Sequence, residues 1–526
     1  TASHSPSSPA SLASPSSTAS LSSPSSTASL SSQSSSSSLP LTDSNVTKKS
    51  RTKNSHGNNK VSIRFNKYHN YDEMSRLLST VNRKFPNITR LYSIGKSAQG
   101  RELWVMQISN DVHQKIPLKP NAKYVANMHG NEAVGREMML HLIAYLVNFS
   151  NKSANVKKLL HHTNIHILPS LNPDGFERSI EGRCEGPGRK NSNGIDLNRN
   201  FPDRLIEIKS VMQPETLAIK EWLNRTQFVL SANIHGGALV VNYPFDGSAE
   251  IESEHLESTP DHDVFLHLAM TYAKKHPKLK AQTRCRKDDN FENGITNGNA
   301  WYPVQGSMQD YNYIFGGCME LTLEISCCKH PNATNLLTYW NENKISMLAL
   351  LNEVNRGVKG VIRDYFTEMP IAKANLTVLG RDVLFQSDID GQFWRLLLPG
   401  DYVLIIKAQG YSRLQKQFTI LPNKITIMEL YLVPLKRMAR TDWLQMAPRT
   451  FLTDFSNSTE DDLNEFRSER LVLDDLELNT ESNSSAFSNK QLHTCVIRIF
   501  LIFFAINSLH NCFNFNLRIF FAMPLL

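Results

Sequence analysis

Apolar and polar positions divide the chain into blocks of different rhythm. From about residue 61 to 355, short apolar runs alternate with segments whose apolar side chains recur at helical spacing. That alternation predicts an α/β domain with a mixed, largely parallel central sheet flanked by helices. The expected elements are a helix in YDEMSRLLSTVNRKF, strands at Thr89–Ile94, Glu102–Ser109, Lys123–Met128 and His166–Pro169, and a helix from Glu132 onward. A helix near Glu215–Asn224 and a strand Phe228–Ile234, ending in His235, follow. Asn172–Gly175 reads as a turn and leads into the Gly- and Arg-rich loop GRCEGPGRKNSNGIDLNRNFPD. From residue 356 to 436 the pattern becomes short strands of alternating apolar residues, in LTVLG, GQFWRLLLPGDYVLIIKAQGY and ITIMELYLV. Pro399, Gly400 and Asp401 make a turn between two of them, and a small β-sandwich is expected there as a packing module.

The ends of the chain carry no such rhythm. Residues 1–60 are dominated by Ser, Pro and Thr and cannot bury enough apolar surface to fold, so a disordered arm is expected, either an O-glycosylated stalk or a featureless extension. Residues 437–494 form a polar, acidic linker. The tail 495–526 is apolar but broken by Arg498, His510 and Arg518, a poor membrane span. Small residues at Ser484, Ser485 and Ala486, then a short polar spacer and the tail, have the layout of a glycolipid (GPI) anchor signal, with an unrelated extension as the alternative.

Composition narrows the function. A net charge of +8 over 526 residues, with no basic block interleaved with aromatics, gives nucleic-acid binding no support. Seven Cys without C-x-x-C spacing point to disulfides or buried thiols. Nine N-x-[ST] sequons lean toward the secretory pathway, with an extracellular or cell-surface product. That the chain starts at Thr1 says nothing about a leader.

His129 and Glu132, in HGNE, fall at a strand-to-helix turn, where ligands collect at the carboxyl ends of strands in an open α/β sheet. Alone, H-x-x-E arises often by chance. His235, at the end of a second buried strand, supplies a third ligand, and two His plus one Glu with an open position is the pattern of a catalytic zinc. Such a zinc polarises a carbonyl and brings the pKa of its water to about 7. In CMELTLEIS, Glu320, Thr322 and Glu324 share one strand face, a candidate cleft wall that offers a base; spacing does not choose between the two glutamates. Arg189 and Arg199 are the candidate cations, and an Arg fork beside an amide such as Asn198 can hold a carboxylate.

The motifs HGNE, NPDG, GIDLNRNFPD, IHGGALVVNYPFD, NAWYPVQGSMQDYNY and ELTLEISCC together resemble those of the zinc metallocarboxypeptidases, most of all the regulatory group that contains carboxypeptidases N, E, D and M. The likeness covers residues 61–435, since that group carries a transthyretin-like β-sandwich after its catalytic domain. Carboxypeptidase A is itself a reference His₂Glu zinc enzyme. The resemblance implies one Zn²⁺ on His129, Glu132 and His235, Glu324 as general base, and Arg189 polarising the scissile carbonyl. It places Asn198 and Arg199 on the substrate's terminal carboxylate, Tyr302 as a mobile closing residue, and Asp246 with Gln309 in the side-chain pocket. The implied activity is release of C-terminal Arg or Lys from peptides or proteins by a monomer. Physics agrees, because a cationic side chain enters a desolvated pocket only where a carboxylate meets it. Asp246 also argues against a pocket for acidic ends, and the intact ligand set argues against a metal-free binding protein. One departure from the family pattern is Ser307, where a glycine is usual.

Overall fold

The computed structural model describes residues 60–250 and 254–435; the N-terminal arm, the acidic linker, the anchor-like tail, Cys495, Cys512 and the sequons at Asn45, Asn457 and Asn483 lie outside the described residues. The first part is built on β1 (Thr89–Lys96), β2 (Glu102–Ile108), β3 (Asn121–Ala126), β4 (Asn164–Leu168), β5 (Phe228–His235), β6 (Ala238–Tyr243), β7 (Ile295–Asn297) and β8 (Met319–Ser326). These form one sheet in the order β1-β2-β4-β3-β5-β8-β6-β7. The centre, β4-β3-β5-β8, is parallel, while β1/β2, β2/β4 and β6/β8 are antiparallel. The sheet is therefore mixed, with its parallel part in the middle.

Local sequence explains the helices that frame it. Asn70 and Glu73 form a reciprocal capping box that starts the helix Tyr71–Lys84, whose first turn is acidic and last turn basic. The helix Ala133–Phe149 is buried over most of its circumference and has no side-chain cap. Glu132, where the predicted helix begins, stands instead at its N-cap, one residue before the observed helix, and that leaves its carboxylate free for other partners. Gly135 lets this helix lie against β5, since a Cβ there would come within 2.7 Å of Ile234. Apolar cores cover both faces of the sheet: Ala122, Tyr124 and Ala126 of β3 point into one, Val125 into the other.

Residues 357–432 form the expected all-β unit as two sheets, β11-β10-β13-β14 and β12-β9-β15. The strands are β9 (Gly357–Asp364), β10 (Asn375–Val378), β11 (Arg381–Gln386), β12 (Gln392–Arg395), β13 (Gly400–Lys407), β14 (Leu414–Ile420) and β15 (Ile425–Leu432). The Pro399 link carries the chain from one sheet to the other, and Gly400 and Asp401 already belong to β13. Val383, Trp394 and Leu396 pack into the core of the α/β part rather than the sandwich's own. At the same junction Asp261, fully buried, accepts hydrogen bonds from Tyr313 (2.8 Å), Arg381 (3.0 Å) and Arg395.

Two disulfides tie loops to the end of β8: Cys184–Cys328 and Cys285–Cys327, with Cys318 a buried thiol. Five of the described sequon asparagines, Asn87, Asn151, Asn224, Asn332 and Asn375, are exposed. Asn148 is not available in the same way, because its amide both donates to and accepts from the backbone of Val61.

His166 on β4 is buried between the Tyr92 hydroxyl (2.8 Å) and Asn121 (3.3 Å). Burial, then the nearby Arg90, pushes its pKa down to about 3, against about 6.5 in an unfolded chain. Between those values the unfolded state binds more protons, so stability falls as pH drops from 6.5 toward 3. Replacing His166 with Gln should reduce the slope of unfolding free energy against pH by about 1.4 kcal/mol per unit between pH 4.5 and 6. Urea titrations across that range measure it; an unchanged slope would mean that the imidazole titrates normally.

Candidate active site

β3, β5 and β8 lie side by side, and their registers place the chemistry. At the base of one face Lys123, Ser231 and Glu320 stand in a single row across the three strands. Lys123 pairs with Glu320 at 3.0 Å and also donates to Ser231 and Asn312, all fully buried. Four residues further along, His235 of β5 and Glu324 of β8 are register partners at the carboxyl ends of their strands. Period two keeps Glu320, Thr322 and Glu324 on one face, yet the two glutamates differ: Glu320 is committed to Lys123, whereas Thr322 and Glu324 line a cleft. β8 is not an exposed edge strand, since it lies between β5 and β6 and is buried throughout.

The turn after β3 presents His129 and Glu132 beside His235. Glu132 Oε1 lies 3.0 Å from His129 Nδ1, Glu132 Oε2 2.8 Å from His235 Nδ1, and the two Nδ1 atoms 3.2 Å from each other. All three side chains are buried, and among the described residues this is the set of His, Cys, Asp or Glu side chains that could hold a metal ion. Two imidazole nitrogens and a carboxylate converging out of water form the donor set of a zinc site, and the residues fit the ion. Asp196 Oδ1 meets the other ring nitrogen of His129 at 3.0 Å, and Asp196 Oδ2 accepts from Arg189 Nε at 3.0 Å. Hydrogen bonding to His129 and the charges of His129, Arg189 and Arg199 overcome burial and hold Asp196 well below the usual carboxylate range. A carboxylate on a ligand's far nitrogen fixes its tautomer and orientation. Asp196 lies outside the sequence-based set, because residue order in GIDLNRNFPD does not mark it as a partner of His129.

An open cleft of about 420 Å³ gathers the predicted residues. His129, His235, Arg189, Asn198, Arg199 and Glu324 line it, with Asp246 and Tyr302 further along. The Cys184–Cys328 bridge tethers the loop that carries Arg189, whose Nη1 is 3.4 Å from Glu132. Asn198 Oδ1 accepts from the backbone of Met308 at 3.0 Å. Burial, then repulsion from Glu132, raises the pKa of Glu324 to about 7, and its Oε2 has no hydrogen-bond partner among the described residues.

Asp246 is buried at 2% exposure, its Oδ1 held by Asn242 (2.9 Å) and Gln309 (3.0 Å). Gln309 does not line the cleft itself and reaches it through Asp246. Burial raises the pKa of Asp246 against the hydrogen bonds from Ser307 and Asn242. The helix Gly298–Trp301 begins at a residue with no room for a side chain, since a Cβ on Gly298 would sit 2.0 Å from Asp246 Oδ1. Asp310, absent from the sequence-based set, accepts from the backbone N–H groups of Asp246 and Gly247 and so fixes that turn. Ser307 has an ordinary negative φ and caps the helix Met308–Gly316, so the position does not require the glycine usual in the family. Tyr302, 42% exposed, stands at the mouth against Trp301.

Residues 74–346 match the zinc carboxypeptidase family. The chain is 46% identical over 363 residues to carboxypeptidase M of Mus musculus, covering 68% of this chain and 82% of that protein. It is 39% identical over 399 residues to the carboxypeptidase N catalytic chain of Rattus norvegicus, 70% of this chain and 86% of that one. Against carboxypeptidase D of Homo sapiens, identity is 42% over 357 residues, which are 67% of this chain and 26% of the longer relative.

Proposed function

Because the chain belongs to the zinc carboxypeptidase family, we propose that it removes the final residue from peptides and proteins that end in Arg or Lys. The observation that carries this reading is the pairing of a His₂Glu cluster with a buried carboxylate, Asp246, in one cleft. His129, Glu132 and His235 would hold zinc, which when bound would supply Lewis-acid polarisation of a carbonyl oxygen and of a water.

The chain's own residues do the rest. Asn198 and Arg199 bind the terminal carboxylate through the amide and the guanidinium fork, which places the last peptide bond beside the cluster. Arg189, held by Asp196, faces the oxygen of the scissile carbonyl and stabilises the charge that develops there. Glu324 takes a proton from the attacking water and passes it to the leaving amine, a task suited to a carboxylate with a pKa near 7. Tyr302 closes over the bound end. Asp246 receives the cationic side chain, and Gln309 and Asn242 keep its Oδ1 aimed.

The setting of this activity is extracellular or at the cell surface, processing peptides as a glycoprotein. Two disulfides and five exposed sequon asparagines support that reading. No helix of the described residues is long and apolar enough to cross a membrane, and the anchor-like tail stays a proposal. The test is a panel of peptides that differ in the last residue alone. Release of Arg and Lys should exceed that of Leu, Phe and Glu; a preference for Leu, Phe or Glu would overturn the specificity.

A further inference from the structure

Between the helix His262–Ala273 and β7, residues 274–289 hold Lys274, Lys275, Lys278, Lys280, Arg284, Arg286 and Lys287 against Asp288 and Asp289. Seven cations less two anions leave five charges, more than half of the chain's +8, in one short segment. Lys278 pairs with Glu342 at 2.8 Å. The other six cations are exposed and make no ion pair among the described residues. Asp289 is turned to the backbone N–H groups of Cys285 and Arg286.

The segment is built rather than loose. Leu279 is buried in the core, and Gln282 and Thr283 donate back to the carbonyls of Leu279 and Lys278, each at 2.9 Å, folding the chain on itself. The Cys285–Cys327 bridge fastens it beyond β8, and Phe291 stacks edge-on against Trp301 of the cleft at 5.3 Å. Gln282, Thr283, Arg284 and Asn290 border a pocket of about 340 Å³, a row of hydrogen-bonding groups beside the cations. Like charges held together on a fixed loop repel one another, and an outside anion relieves that repulsion.

We propose that this segment docks a sulfated glycan and so holds the enzyme, cleft rim first, on an extracellular matrix or cell coat. The class follows from what the surface offers and lacks. No large apolar side chain of the segment is exposed, which removes insertion into a bilayer. No exposed aromatic interleaves the cations, the ring of His276 being buried, which removes base stacking. A sulfated glycan needs neither and shares the oxidising compartment that the disulfides require. The proposal leans on the extracellular reading above and is independent of the catalytic one, since binding is measured without turnover.

The test uses the full chain and a heparin oligosaccharide as probe, with affinity measured at several salt concentrations. Six released counterions should weaken binding by roughly 10³-fold between 50 and 200 mM salt. A variant with Lys274, Lys275, Lys280, Arg284, Arg286 and Lys287 all changed to Ala should lose nearly all of that affinity and still release Arg from a short peptide. A control of equal net charge, with Lys157, Lys158, Lys373, Lys407, Lys416 and Lys424 changed to Ala, should bind like the parent. Should the sixfold variant fail to fold, the pair Arg284→Ala and Arg286→Ala should still lower the salt slope by about two charges. Parent-like binding by the sixfold variant, an unchanged slope in the pair, or an equal loss in the control overturns the proposal. Tighter binding of single-stranded DNA or of phosphatidylserine vesicles than of heparin overturns the choice of glycan.

Discussion

Glu324→Gln should keep one zinc per chain and lose about 10²- to 10⁴-fold in kcat, the usual contribution of a general base. The substitution preserves shape, and Gln makes no charge repulsion with Glu132, so His129, Glu132 and His235 are left as they stand. What disappears is the proposed proton acceptor, the group whose pKa burial and Glu132 raise to about 7. Metal content per chain and single-turnover rates separate the two effects. A chelator, by contrast, should stop the parent enzyme, and added zinc should restore it. Near-normal turnover by the variant would move the base to Glu320, which would first have to leave Lys123, 3.0 Å away in a fully buried pair.

Asp246→Ala should cut kcat/KM for peptides ending in Arg or Lys by about 10²- to 10³-fold, the cost of leaving a buried charge without its partner. Peptides with an apolar last residue should change little, because they never used the carboxylate. Asp246 fits this role through its surroundings: 2% exposed, no cation within ion-pair distance among the described residues, and two amides that orient Oδ1. Comparing the two substrate classes on one preparation removes any effect of partial unfolding. Equal losses for both would take Asp246 out of the side-chain pocket.

Much of this arrangement could be read from residue order. The apolar run of β3, the helical spacing after Glu132 and the run of β5 located the two strand ends that carry His129 and His235, within one or two residues of their observed limits. Other parts depended on strand order, which periodicity does not carry. Lys123 opens the apolar run of β3; its partner Glu320 is 197 residues away and becomes a neighbour only because β3 and β8 flank β5 in the sheet. Asp196 is 67 residues from His129, and nothing in GIDLNRNFPD says that a loop aspartate will meet that ring. Cys327 and Cys328 are adjacent, yet they bridge to different loops, a connectivity that spacing leaves open. Asp310 was hidden for a similar reason, since its partners are backbone N–H groups across a turn.

Asp261 sits in the sequence of the catalytic part, but the two guanidinium groups that neutralise it, Arg381 and Arg395, come from the strands that follow. Through Tyr313 the same carboxylate holds the helix that bears Gln309. A chain shortened at residue 356 would strand an anion under the core and slacken the wall of the pocket proposed to receive the substrate's last side chain. The sandwich is thus a keystone for that proposed selectivity, and the seam between the two parts divides the sequence without dividing the machine.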